Sequence, residues 1–304
     1  MSLWRPVVVF MFVSAGATTA IAFLTASRGW TVHSPAWALL APLAMWAPAL
    51  GRFLACRTVD RNFTSTLSLS RWGETGARVV VLPLVVPLVV YGIAYFVAWM
   101  AGMAHWSPGG GRWTTGTQIA LNLVVNLTLL GVFGTATALG EELGWRGYLQ
   151  PRLDAAGVRF SVIIVWLCQL AYHAPLAAGA GYVSGGGLLG GLFRFAAADL
   201  VIAYLWAAES YRARSLWPAV FFHSFHNTVS QWLFPRFFAG GENERWLGEG
   251  GFLPAGAYVV VGLIYWAWVR QRGPSWRELT ARSAKELPDP PAERKRALTR
   301  FDVR

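Results

Sequence analysis

Val79 to Gly111 reads VVVLPLVVPLVVYGIAYFVAWMAGMAHWSPGGG, 33 residues without an Asp, Glu, Lys or Arg. A helix needs roughly 20 apolar residues to cross the hydrocarbon core of a bilayer, about 30 Å thick. This run is long enough, and the chain repeats it. Charge-free runs of 22 and 23 residues lie between Arg5, Arg28 and Arg52, and others cover 113–140, 160–193, 215–235 and 250–269. Composition agrees: 55% of the 304 residues are hydrophobic, 13% are charged and 17 are Trp. Soluble domains carry about 25% charged residues, so this balance excludes disorder, collagen-like repeats and coiled coil. The fold class expected is all-α, a polytopic integral membrane helical bundle of about eight transmembrane helices. The spans fall at roughly 6–27, 36–55, 79–103, 118–145, 158–178, 188–209, 215–234 and 253–270. Pro83 and Pro87 are expected to bend the third.

The formal net charge of +11 is unevenly distributed. With the N-terminus in the cytoplasm, 21 of the 26 Lys and Arg fall on cytoplasmic segments. Arg28, Arg112, Arg236 and Arg245 fall on the other side, and Arg194 lies inside the sixth span. That is the positive-inside bias. It predicts a multi-pass protein of the cell membrane with both termini cytoplasmic, where the basic face meets anionic lipids. No basic segment is interleaved with stacking aromatics, so nucleic acid is not an expected partner. Cys56 and Cys168 offer neither a disulfide framework nor zinc-ligand spacing. The glycine-rich stretches 104–117 and 179–191 read as flexible loops on the non-cytoplasmic side, without the strand and Lys of a P-loop. Trp30, Trp37, Trp72, Trp106, Trp113, Trp217 and Trp246 cluster near span ends, as aromatic belts do.

Ionisable groups in hydrocarbon are costly, about 2.5–3.5 kcal/mol for Asp, so an intramembrane set of them marks a function. Three segments carry such groups. In Gly140-Glu141-Glu142-Leu143-Gly144-Trp145-Arg146, Glu142 and Arg146 are one helical turn apart and suit an internal ion pair. Glu141 is rotated away by about 100° and is left for another task. His173 lies late in the fifth span; alone, it suits a core histidine bonded to a neighbouring carbonyl. In His223-Ser-Phe-His226-Asn227, His223 and Asn227 share a face, which alone also suits interhelical hydrogen-bond glue. The fourth and fifth spans turn near 154–157, which puts Glu141 about 18 Å and His173 about 24 Å from that turn. His223 lies about 12 Å into its helix from the same side. The groups can meet in one cavity, expected to open to the cytoplasm.

Glu141-Glu142-x-x-x-Arg146, a histidine 32 residues after Glu141, and His223-x-x-x-Asn227 together resemble the CPBP family. These are type II CAAX prenyl endopeptidases and bacteriocin-processing or immunity proteins, also called Abi proteins. The flanks GWRGYLQPRL and SLWPAVFFHSFHNT agree. The resemblance covers about 118–234. It divides the chain into helices 1–3 with a basic loop (1–117), a CPBP-like catalytic core (118–234), a loop with helix 8 (235–270) and a polar cytoplasmic tail (271–304). It departs at Gln169, where the family usually has Phe four residues before the histidine, and at His226, where a non-ionisable residue is commoner.

What the resemblance implies is an intramembrane glutamic endopeptidase that hydrolyses a peptide bond of a membrane-associated protein or peptide. Glu141 becomes the general base that activates a water, His173 binds the same water, His223 and Asn227 donate to the oxyanion, and Glu142 and Arg146 support them. No metal or other cofactor is implied. Two other readings stay open. A zinc-dependent membrane protease would draw ligands from Glu141, His173, His223 and His226, although a His-Glu-x-x-His helix is absent. A non-enzymatic transporter or immunity scaffold would use the same acids for proton coupling or partner binding, although transporters more usually show repeated halves. Arg194 and Asp199, five apart, are expected to be structural.

Overall fold

The computed structural model describes residues 4–65, 67–69, 76–125, 127–128, 131–183, 185–240 and 243–284. Trp72 and most of the expected tail, 285–304, lie outside the described residues. The helices are α1 (Trp4–Ser27), α2 (Trp37–Thr58), α3 (Arg78–Met100), α4 (Gly116–Val125), α5 (Gly131–Gly144), α6 (Gln150–Ala155), α7 (Ser161–Ala180), α8 (Leu188–Ala213), α9 (Trp217–Asn227), α10 (Phe234–Phe237), α11 (Asn243–Trp246), α12 (Phe252–Arg272) and α13 (Trp276–Ala284).

Six of these, α1, α2, α3, α7, α8 and α12, are long and apolar enough to cross a membrane. The chain is thus an all-α, multi-pass membrane bundle. The other two expected spans carry π-helical turns or lie partly outside the described residues. In 118–145, α4 and α5 flank residues outside the described ones, and α9 runs through a π-helical turn at Thr228–Leu233 into α10, so that 217–237 is helical throughout. A second π-helical turn, Trp145–Leu149, follows α5 directly. Such turns hold one extra residue and occur often at functional sites.

Burial is the reverse of a soluble domain. Phe12, Leu39 and Leu189 are 79%, 75% and 83% exposed, as lipid-facing residues are, whereas Ser14, Thr18 and Thr25 are buried. Those hydroxyls bond carbonyls of the preceding turn, Ser14 to Phe10 at 2.8 Å and Thr25 to Ile21 at 3.0 Å, so they bring no unpaired group into the core.

Glycine sets the closest helix approach. A Cβ on Gly140 would stand 2.7 Å from the Met45 carbonyl oxygen, and one on Gly144 would overlap Pro48. The spacing Gly140-x-x-x-Gly144 therefore lets α5 lie flush on α2 with the paired glutamates between the two glycines. On its other side α5 meets α9, where the Thr135 and Ser224 hydroxyls are 3.0 Å apart.

Contacts define two ends of the bundle. At one, Asp60 beyond α2 accepts from Tyr148 and Arg152, Glu209 of α8 takes a two-pronged bond from Arg78 of α3 at 2.9 Å, and Asp154 accepts from Gln150, Tyr211 and Trp276. At the other, Val32 bonds Ala180, and a two-residue antiparallel ladder pairs β1 (His105–Trp106) with β2 (Phe238–Ala239). That ladder gives the expected flexible loop 104–117 local order, helped by Trp106 stacked on Phe237 at 5.3 Å and by the Ser107 N–H on the Phe237 carbonyl.

Candidate active site

One cavity collects the sequence-marked residues. It is lined by Glu141 of α5, His173 of α7, and His223, His226 and Asn227 of α9, and encloses about 730 Å³ including the open space at its mouth. Four residues of α8, Phe195, Asp199, Ile202 and Trp206, complete its wall at helical spacing.

Glu142 and Arg146 lie beneath it, both fully buried. Arg146 Nη1 donates to Glu142 Oε1 at 3.1 Å, which is the expected ion pair. The same oxygen accepts from His223 Nδ1 at 2.8 Å, so the pair also orients the histidine. A carboxylate can only accept, so Nδ1 carries a proton and Nε2 is the atom left for the cavity. Nε2 stands 3.9 Å from Glu141 Oε1. Two bonds of about 2.8 Å each can bridge that gap through one oxygen. The other Glu141 oxygen accepts from Trp145 Nε1 at 3.1 Å, which fixes the carboxylate plane.

His173 combines two readings that the sequence left apart. Its Nδ1 donates to the backbone carbonyl of Gln169 at 2.9 Å, as a core histidine would, and the ring still lines the cavity. The carbonyl fixes the tautomer, so Nε2 presents a lone pair. Tyr182 stacks on the ring at 5.7 Å, and Phe195 and Tyr172 meet it edge-on at 5.0 and 4.7 Å. The side chain of Gln169 does something else: its Oε1 accepts from Arg146 Nη2 at 3.4 Å. Where the family usually has Phe, this chain adds a contact to the buried guanidinium, which also lies over the Trp206 ring at 5.1 Å.

His226 is more than a neighbour of the motif. Its Nδ1 meets the Tyr258 hydroxyl at 2.7 Å and its Nε2 meets Glu249 Oε1 at 3.3 Å. Glu249 also accepts from Gln231 at 2.9 Å. Burial pushes the Glu249 carboxyl up, but His226, Tyr182 and Gln231 together outweigh it and hold it at about 2. Glu249 was not legible as a site residue: it precedes α12 in a loop, where no periodicity marks a facing. Among the described residues no group of three His, Cys, Asp or Glu is arranged to hold a metal ion. Arg194 bonds the carbonyls of Gly250 at 2.6 Å and of Gly185. Asp199 is different: it lines the cavity, and its Oδ2 is buried without a hydrogen-bond partner among the described residues.

The cavity lies toward the end of the bundle opposite the N-terminus. Its lining includes Trp37 at the start of α2, Tyr182 just beyond α7 and Glu249 just before α12, all at the end opposite the N-terminus. The reason is depth: Glu141 precedes the end of α6 by about 20 Å of helix, past the middle of a 30 Å layer.

A search of curated proteins gave no match to the chain. Residues 122–229 match the family model described as type II CAAX prenyl endopeptidase Rce1-like, a span that holds Glu141, Glu142, Arg146, His173, His223 and Asn227. Residues 122–229 are therefore similar to an Rce1-like domain of the CPBP family, and this match supports a function of the CAAX-type membrane protease kind.

Proposed function

We propose that the protein is a metal-independent intramembrane endopeptidase whose catalytic core is 118–234. Glu141 Oε1 takes a proton from a water that His173 Nε2 also holds. The resulting hydroxide adds to the scissile carbonyl, and the oxyanion receives hydrogen bonds from Asn227 and from His223 Nε2 in its imidazolium form. Glu141 then passes its proton to the leaving amine as the C–N bond breaks. Fixed donors in a water-poor cavity stabilise such developing charge strongly, and a positioned base contributes typically 10²–10⁴-fold. Glu142 and Arg146 hold His223 in place. The observation that carries this reading is the convergence of Glu141, His173, His223 and Asn227, from three helices, on one cavity. We also propose that both termini face the cytoplasm, with anionic lipid at that face.

The test is hydrolysis by purified, reconstituted protein in strong chelator. Turnover should persist, with no stoichiometric zinc, and Glu141→Gln should abolish it while the protein stays folded. A zinc enzyme holds its catalytic water on the metal and loses activity when stripped. Activity lost on chelation and restored by added zinc would overturn the metal-independent mechanism.

A further inference from the structure

We infer that Asp199 is a specificity-determining residue of the cavity, where it receives the ammonium or guanidinium of a Lys or Arg beside the scissile bond of the peptide. The inference deepens the peptidase reading and rests on it for the scissile bond; the cation site itself rests on the cavity alone. Asp199 lies midway along α8 and is 5% exposed. It lines the same cavity as Glu141, His173, His223 and Asn227, and its Oδ2 is buried with no hydrogen-bond partner among the described residues. A carboxylate in the middle of a membrane span is costly unless paired, and the proposed mechanism gives this one no task.

The neighbouring acids are already engaged. Glu142 is held by Arg146 and His223. Glu249 accepts from His226 on one oxygen and from Gln231 on the other. Glu141 accepts from Trp145 on Oε2 and turns Oε1 toward His223 Nε2 at 3.9 Å. The nearby cations are engaged too. Arg194, five residues before Asp199, bonds the carbonyls of Gly250 and Gly185 and lies over the Phe252 ring at 4.7 Å. Arg146 acts on Asp199 by its charge, as do Glu141, Glu249 and His223, but its guanidinium is bonded to Glu142 and Gln169.

The charge balance gives the sign of the ligand. Among the described residues no Lys or Arg lines the cavity, whereas Glu141, Asp199 and Glu249 do. His173 is neutral, since its Nδ1 donates to a carbonyl and its Nε2 keeps a lone pair for the water. Even with imidazolium at both His223 and His226, one negative charge is left over. The walls suit a cation as well: Trp37, Tyr172, Tyr182, Phe195 and Trp206 line the cavity, and aromatic faces attract ammonium and guanidinium groups most strongly where water is scarce. Trp206 already has one cation, Arg146, over its ring at 5.1 Å. A Lys or Arg of the peptide supplies Asp199 with a charge-assisted partner, and an apolar residue of the same length leaves the carboxylate stranded. Sites that bury an unpaired polar group against the wrong ligand discriminate strongly.

The experiment measures binding and cleavage separately on reconstituted full-length protein. The probes are acetylated and amidated Ala/Leu peptides with a neutral fluorophore, one with a single central Lys and a twin with norleucine in its place. Protein carrying Glu141→Gln, which leaves the peptides intact, should bind the Lys peptide at least tenfold more tightly than its twin. Adding Asp199→Asn should bring that ratio close to one, and adding Asp199→Glu instead should keep most of it. If Asp199→Asn does not fold, Asp199→Ser takes its place with the same outcomes. Native protein should cleave the Lys peptide with at least tenfold higher kcat/KM than its twin, and mass spectrometry should place the cut within two residues of the Lys. A binding ratio near one with Asp199 in place, a ratio that Asp199→Asn leaves unchanged, or cuts placed without regard to the Lys would overturn the inference. A protein that shows the expected binding ratios and cleaves neither peptide refutes the peptidase reading and leaves the cation site standing.

Discussion

Arg146→Met should be among the most damaging single changes in the chain. Glu142 and Arg146 are both fully buried and 3.1 Å apart, and Glu142 Oε2 and Arg146 Nε have no hydrogen-bond partner among the described residues. At that separation and an effective dielectric of about 20, the attraction is about 5 kcal/mol. Removing one partner strands the other, which costs about 3–5 kcal/mol. At about 1.4 kcal/mol per factor of ten, the ratio of folded to unfolded protein falls roughly a hundredfold or more. Glu142→Gln should cost about as much, since an amide oxygen still accepts from His223 but leaves Arg146 without a counter-ion. The double variant removes both charges, so it should be about 2–3 kcal/mol more stable than the sum of the singles predicts. Equilibrium unfolding in mixed micelles reads all three, with membrane abundance as a second measure. Strictly additive costs, or a Glu141→Gln variant destabilised as much as Glu142→Gln, would refute a buried pair in favour of generic crowding.

Gly144→Ala should destabilise by about 1–3 kcal/mol through overlap with Pro48, and a matching loss should follow at Gly140, but not at Gly131, where added bulk meets nothing; thermal melts of the three alanine variants check this. His226→Ala should cost about 1–3 kcal/mol, because Glu249 and Tyr258 lose a buried partner, and melting of the variant against native protein measures it. A reporter active only outside the cytoplasm should be silent when fused after Arg304; an active fusion would reverse the orientation.

The fold class was open to reading because hydrocarbon leaves few choices: long charge-free runs have to be helices. The ion pair was open for a similar reason, since residues four apart on a helix meet whatever surrounds them. The count of continuous spans was harder. A π-helical turn at Thr228 leaves no periodic trace in the sequence. Glu249, Tyr182 and Trp206 escaped notice because their place in the cavity depends on how α8 and two loops pack, which no local spacing encodes. The depth of the site was legible in the helix arithmetic: 18 Å from the turn puts Glu141 past the middle of a 30 Å layer.

The main-chain bond that orients His173 has a consequence for how chains of this kind are recognised. Because the acceptor is the carbonyl of residue 169 and not its side chain, that position can change from an aromatic to an amide without releasing the imidazole. The amide then serves a different master, Arg146. A signature that insists on Phe four residues before the histidine tests a packing preference and passes over enzymes whose ring is held in the same way.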